Sequence, residues 1–118
     1  VVNGDGSFSR DFTYIDNVID ANLLSITTKN KKAINNIYNI AFGERNTLND
    51  LIFILKNYLS NYDSNIKNVK VIYGPERFGD IPHSQASIEK AKKLLKYNPQ
   101  FSLNQGLKEA VKWYWKNL

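Results

Sequence analysis

Between Ser9 and Val18 the sequence changes period, and that change limits what the chain can become. Phe12 to Ile15 reads as a short extended segment. From Asp16 onward the apolar residues Ile19, Leu23 and Ile26 fall at i, i+4 and i+7 from one another, the spacing of a helix. Asp16 is expected to cap that helix, its carboxylate accepting the orphan amide protons of the first turn. Arg10 then sits just outside a strand-to-helix joint, a place where anions are commonly held. Arg10 and Asp11 read equally as exposed loop charges.

The same alternation recurs downstream. After a first helix over 16–27 and a polar Lys-Asn loop over 28–35, Tyr38 and Ile40 predict a buried strand over 36–41. Gly43 to Asn46 is a turn. Thr47 and Asp50 form a capping box, followed by the apolar stripe Leu48, Leu51, Ile52, Leu55 and Leu59. Val69, Val71 and Tyr73 alternate as a strand does. Pro75, Gly79 and Pro82 make 74–86 an irregular loop. Ser87 opens a short helix that stops before Asn98-Pro99. A last helix starts at Ser102, with Gln105 completing a second capping box and Leu103, Leu107, Ala110, Val111 and Tyr114 as its core face. Short strands alternating with helices define a small, helix-rich α/β lobe of one domain, 1–118, and favour parallel pairing.

Composition closes several routes. There is no cysteine, hence no disulfide or thiolate metal site, and the single histidine, His83, lacks an acidic cluster around it. No apolar run reaches bilayer length and no signal peptide is present, so the expectation is a cytoplasmic protein without a membrane partner. The net charge is +5, but the aromatic residues do not interleave with the densest lysines, Lys90, Lys92, Lys93 and Lys96. Those lysines read as a solvated helix face, and nucleic acid is not an expected partner. The chain opens on Val1 and almost at once enters a Gly4-Asp5-Gly6 turn, which reads as an interior piece of a longer protein.

Gly4-Asp5-Gly6-Ser7-Phe8-Ser9 imitates the start of a dinucleotide fingerprint. The third glycine is replaced by Ser9, little strand precedes it, and an extended segment follows, so it is not expected to bind a cofactor. No tyrosine has a lysine four residues later, and Ser84 beside His83 is adjacency rather than a nucleophile–base geometry. No catalytic residue is therefore expected within the chain. Arg77-Phe78-Gly79-Asp80 is the stronger constellation: a guanidinium fork suits phosphate oxygens, and a carboxylate three residues on suits a sugar diol. Arg10 offers a second positive group for a diphosphate. A local Arg77–Asp80 ion pair that pins the loop accounts for the same residues.

These segments, in this order, resemble the C-terminal part of the extended short-chain dehydrogenase/reductases, the nucleotide-sugar epimerases and dehydratases. The resemblance rests on Gly4-Asp5-Gly6 with Ser9 to Val18, on Tyr38-Asn39-Ile40 with Gly43 and Thr47-Leu48, and on Arg77-Phe78-Gly79-Asp80. Ser87–Leu95, Tyr97-x-Pro99, Gly106-Leu107 and Trp113-Tyr114 complete it. Arg10 to Asn17 and Ile81-Pro82-His83-Ser84 look most like UDP-N-acetylglucosamine 4-epimerases of surface-polysaccharide pathways. The resemblance implies that Arg10 and Arg77 contact the diphosphate of a UDP-sugar and that Asp80 binds the ribose hydroxyls. It further implies that Leu48 packs near the nucleotide, that Phe12 lines its pocket, and that His83 and Ser84 face the sugar. NAD would exchange hydride with the sugar C4, bound by a Rossmann domain preceding Val1 that also carries the Tyr-x-x-x-Lys pair. On this resemblance the whole protein is a homodimer and the 118 residues alone are inactive. UDP-glucose 4-epimerase, 4,6-dehydratase and UDP-glucuronate decarboxylase remain alternatives within the family, and a small basic binding module is the alternative outside it.

Overall fold

Both capping boxes close. In the computed structural model, which describes residues 1–118, the Thr47 hydroxyl accepts from the Asp50 amide at 3.0 Å and the Asp50 carboxylate from the Thr47 amide at 2.9 Å. Helix α2, Leu48–Leu59, follows. Ser102 and Gln105 repeat the exchange ahead of the last helix, Leu103–Asn117. These bonds satisfy amides that every helix N-terminus leaves orphaned. Bonds from the Thr47 hydroxyl and then its amide hold the Asp50 carboxyl below the ordinary aspartate value.

The first helix, α1, runs over Ile15–Thr27, and here two expectations fail. Its N-cap is Tyr14, in extended backbone without a side-chain bond, while Asp16 lies inside the first turn. Its carboxylate favours the helix through the positive end of the macrodipole instead of through a cap. The Ile19–Leu23–Ile26 stripe faces outward, with Ile26 80% exposed, and the face turned inward carries Asn17 and Ala21. Small or polar side chains there let α1 approach its neighbours closely.

The strands are shorter than the sequence implies. β1, Val2–Asn3, pairs in parallel with β4, Tyr73–Gly74; β2, Ser9–Arg10, pairs antiparallel with β3, Asn46–Thr47. The ladder of β2 thus precedes the Phe12–Ile15 segment expected to be extended. No strand forms over 36–41. Tyr38 donates to the Ala33 carbonyl at 2.7 Å and the Ala41 carbonyl accepts from Tyr97 at 2.9 Å, so side chains take up the bonding a ladder would have given. Of Val69, Val71 and Tyr73 only the last enters a strand. Helix α3, Glu89–Leu95, begins two residues after Ser87 and ends on Lys96, whose left-handed backbone (φ 62°) reverses the chain. The final helix is α4.

The core consists of four alanines, Ala21, Ala33, Ala41 and Ala91, packed with Ile88, Leu95 and Tyr97 at the junction of α1, α3 and the 31–41 segment. It is modest. Only 14 of the 118 residues are buried, and the accessible surface is 8515 Å² against about 6,600 Å² for a compact monomer of this mass. The radius of gyration is 17.1 Å where about 13.5 Å is usual. The lobe is a slab of 53 × 35 × 19 Å. Tyr114, expected in the core, is 56% exposed; in the last turn of α4 it is Trp115 that meets the body, stacking on Tyr62 with ring centroids 5.1 Å apart.

Tyr97 is almost fully buried, and that desolvation, ahead of the charges of Asp20 and Asp11, pushes its phenol up from 10.0 to about 12. A raised folded pKa means the stability held by the neutral phenol is complete below the unfolded value and is lost as pH rises through the folded one. Between pH 10 and 12 the protein should therefore lose stability in step with Tyr97 ionisation. Phenolate absorbance followed alongside circular dichroism checks this. In Tyr97→Phe the coupled loss should vanish from that window, leaving a protein weaker at neutral pH by the missing bond to Ala41.

Candidate functional site

The Gly4-Asp5-Gly6 turn has a structural task. Both glycines hold positive φ (+74° and +79°), and a β-carbon on Gly6 would run into the Asn49 amide. Asn49 donates from its backbone to the Gly6 carbonyl at 3.1 Å and from its side chain to the Asp5 carbonyl at 3.0 Å. Tyr73 donates to Asn49 Oδ1 at 2.8 Å. The turn is thereby docked on the first turn of α2, and β2 follows it rather than a helix. The dinucleotide fingerprint is not met: Asn49 fills the space over Gly6, and the helix that the motif requires directly after the turn is replaced by β2.

Residues 8–10 lie between two other segments. Leu48 donates to the Phe8 carbonyl at 3.0 Å on one side; on the other, Ser9 donates to Pro82 at 2.9 Å and accepts from the Ser84 amide at 3.0 Å. This three-way joint gathers side chains that are far apart in sequence. Arg10, Leu48, Arg77 and Asp80 all line one open pocket of about 400 Å³, with Phe8, Leu51 and Ile52 as apolar wall. Arg10 is half-buried and is aimed by bonds from Nη1 to the carbonyls of Ser9 at 2.8 Å and Pro82 at 3.4 Å. Its Nε and Nη2 are left for a ligand. Arg77 Nη2 meets Asp80 Oδ1 at 3.1 Å, so the local ion pair does form. It uses one carboxylate oxygen, and the Arg77 side chain stays 70% exposed. Pairing and ligand binding are compatible here, since Oδ2 and the outer edge of the guanidinium are both open.

The other expected residues lie nearby rather than in this pocket. Phe12 lines a neighbouring apolar pocket of about 220 Å³ with Tyr14, Leu103 and Leu107, and Leu51 forms part of both walls. There α4 approaches through Gly106, where a β-carbon would fall 2.7 Å from Tyr14 Cβ. His83 and Ser84 stand on the exposed segment that bonds to Ser9. Imidazole Nδ1 lies 2.9 Å from the buried Ser9 hydroxyl, which fixes the ring beside Arg10.

Two residues that sequence reasoning passed over hold the site in shape. The Asp11 carboxylate, read as a loop charge, accepts from the amides of Phe42 at 3.1 Å and Gly43 at 2.9 Å. Asn17 is buried; its side chain donates to the Phe101 carbonyl at 2.7 Å and accepts from the amides of Gln100 and Phe101 at 2.9 and 3.1 Å. Neither has a periodic signal. Asn17 even falls on the face of α1 opposite the apolar stripe expected to point inward, where a polar residue draws no attention.

Residues 1–41 match the NAD dependent epimerase/dehydratase family. UDP-glucuronate 4-epimerase of Thermodesulfobacterium geofontis is 34% identical over 117 residues, which is 98% of this chain and 33% of that protein. The crystal structure of a UDP-glucose 4-epimerase from Thermotoga maritima with UDP-glucose superposes on 98% of this chain with a TM-score of 0.83 at 35% identity. UDP-N-acetylglucosamine 4-epimerase of Methanobrevibacter ruminantium M1, in complex with UDP-N-acetylmuramic acid, does so over 99% with a TM-score of 0.84 at 32% identity. The chain covers 34% of each of these two structures. It spans about a third of the length of the relatives it matches.

Proposed function

We propose that this chain, which belongs to the NAD dependent epimerase/dehydratase family, is the nucleotide-sugar-binding lobe of a UDP-sugar 4-epimerase, with UDP-N-acetylglucosamine and UDP-N-acetylgalactosamine as its pair of substrates. The observation that carries the reading is the convergence of Arg10, Arg77 and Asp80 from separate segments on one apolar-walled pocket. Two guanidiniums match the charge of a diphosphate. Asp80 Oδ2 accepts from the ribose diol, and the Phe12 pocket, joined through Leu51, takes the flat base. His83 and Ser84 lie toward the sugar.

The lobe's contribution to chemistry is positional. Binding energy from the remote nucleotide keeps the substrate anchored while the 4-keto sugar turns over to present its other face, and remote binding of this kind lowers the barrier at the reacting carbon. Bound NAD supplies the reversible hydride exchange. On this reading a part of the polypeptide preceding Val1 holds NAD and the proton-transferring tyrosine, and two such polypeptides form a dimer.

The test uses the full-length protein, incubated with UDP-N-acetylglucosamine and followed by proton NMR. Formation of UDP-N-acetylgalactosamine is expected. Conversion of UDP-glucose or UDP-glucuronate in its place would keep the nucleotide grip and replace the sugar. If NAD-loaded protein left all three unchanged, the epimerase reading would fall. The 118 residues alone should give no turnover.

A further inference from the structure

The charge of this chain is sharply divided. Residues 21–43 and 90–107 contain seven lysines and no acidic residue, whereas the rest of the chain holds nine basic and eleven acidic residues. The whole positive excess therefore belongs to two segments, and folding brings them together. Ala33 and Ala41 share one core with Ala91, Leu95 and Tyr97. Asn30 donates from its side chain to the Leu94 carbonyl at 3.0 Å, and Lys90 Nζ lies 5.3 Å from the centre of the Tyr38 ring. Lys29, Lys31 and Lys32 thus lie on the segment packed against α3, and they, Lys90 and Lys93 are all exposed, while the one acid of that helix, Glu89, is paired with Lys92.

The same surface displays aliphatic side chains. Ile34 is 54% and Ile37 89% exposed, on the loop that follows the three lysines. The aromatic residues of these segments, Tyr38, Phe42, Tyr97 and Phe101, are all buried or half-buried. A basic surface meant for single-stranded nucleic acid needs open rings for bases to stack on. Lysines around protruding isoleucines, with rings withdrawn, fit instead a surface that attracts cations and then admits hydrocarbon.

We propose that the 29–37 loop together with the Lys90–Lys93 face of α3 is a peripheral docking surface for an anionic lipid bilayer. The lysines draw the protein to the charged headgroups, and Ile34 and Ile37 enter the interface. The charge division orients the molecule, basic end down. No helix of the chain is long and apolar enough to cross a membrane, so the contact is with the bilayer surface. The docking surface is separate from the Arg10–Arg77 pocket and does not depend on the epimerase reading.

The experiment is flotation of the full-length protein with vesicles of phosphatidylglycerol and phosphatidylcholine, against vesicles of phosphatidylcholine alone. Association with the anionic vesicles only is expected, falling steeply as salt shortens the Debye length. Each lysine near an anionic surface is worth about fivefold in affinity, so Lys29→Gln/Lys31→Gln/Lys32→Gln together should weaken it roughly 100-fold. Ile34→Ser/Ile37→Ser should weaken it at least tenfold with the charge intact. Both variants should match the parent in circular dichroism and in urea titration, which shows that they are folded. The proposal is overturned if the parent ignores anionic vesicles, if the triple-glutamine variant floats equally well, or if single-stranded DNA displaces the protein from the vesicles through tighter binding.

Discussion

Replacing Arg77 with alanine is expected to weaken UDP binding by the full-length protein about 30- to 100-fold, as read by isothermal titration calorimetry. A guanidinium on a phosphate oxygen makes charge-assisted hydrogen bonds worth about 1.5–3 kcal/mol, and 1.4 kcal/mol is a factor of ten. The alternative assignment makes a different prediction. As a loop pin, Arg77 belongs to an exposed i, i+3 pair, and such pairs contribute about 0–1 kcal/mol. Arg77→Ala would then leave UDP affinity alone and shift stability slightly. Asp80→Asn separates the two further. If Asp80 Oδ2 holds the ribose diol, the variant should bind UDP roughly tenfold more weakly while binding inorganic pyrophosphate no worse than the parent. Equal losses for UDP and pyrophosphate would mean that Asp80 acts only by orienting Arg77.

The second large effect concerns stability. Asn17→Ala should destabilise the fold by about 3 kcal/mol in urea titration, because three hydrogen bonds with the 100–101 segment disappear at once. Two backbone amides and one carbonyl would lose the partner that the buried Asn17 side chain gives them, and a small void would replace the amide. Asn17→Asp tests the geometry. Its carboxylate can still accept from the Gln100 and Phe101 amides but confronts the Phe101 carbonyl with a second acceptor. It should lose more than half of what alanine loses. A cost under 1 kcal/mol for Asn17→Ala would show that the 100–101 segment re-forms its bonds elsewhere.

The parts of the fold that could be read from sequence were those decided locally. Thr47 with Asp50 and Ser102 with Gln105 are complete within four residues, and both capping boxes form as expected. The helices after them follow their apolar stripes. Where the decision rests on a distant partner, the local pattern misled. The 36–41 segment has strand composition but its bonds go to Ala33 and Tyr97 instead of a ladder. The Ile19–Leu23–Ile26 spacing gave the helix correctly and its inward face wrongly, because alanine and asparagine at the contact outweigh larger apolar residues when backbones must come close. The Asp16 cap failed through a shift of two residues, within the usual uncertainty of a helix start. Of the candidate site residues, Arg10, Leu48, Arg77 and Asp80 meet in one pocket, while Phe12 faces its neighbour and His83 and Ser84 stand beside it. Asp11 escaped notice because a carboxylate that clamps two remote amides looks, in sequence, like any loop acid.

Ser9, Arg10 and Asp11 are consecutive, yet each serves a different neighbour: the His83 segment, the open pocket and the Phe42–Gly43 amides. That arrangement makes spacing as binding a constraint as identity. Deleting or inserting one residue between Gly6 and Asp11 would put an anchor where the guanidinium belongs and a guanidinium where the anchor belongs, without changing a single side chain in type. Substitutions along this segment can be graded and repaired one at a time, whereas a frame-preserving loss of one residue breaks three connections together. The turn that precedes it, tied to Asn49 at its glycines, leaves no slack to absorb the error. In descendants of this gene, length over these positions should be kept longer than composition.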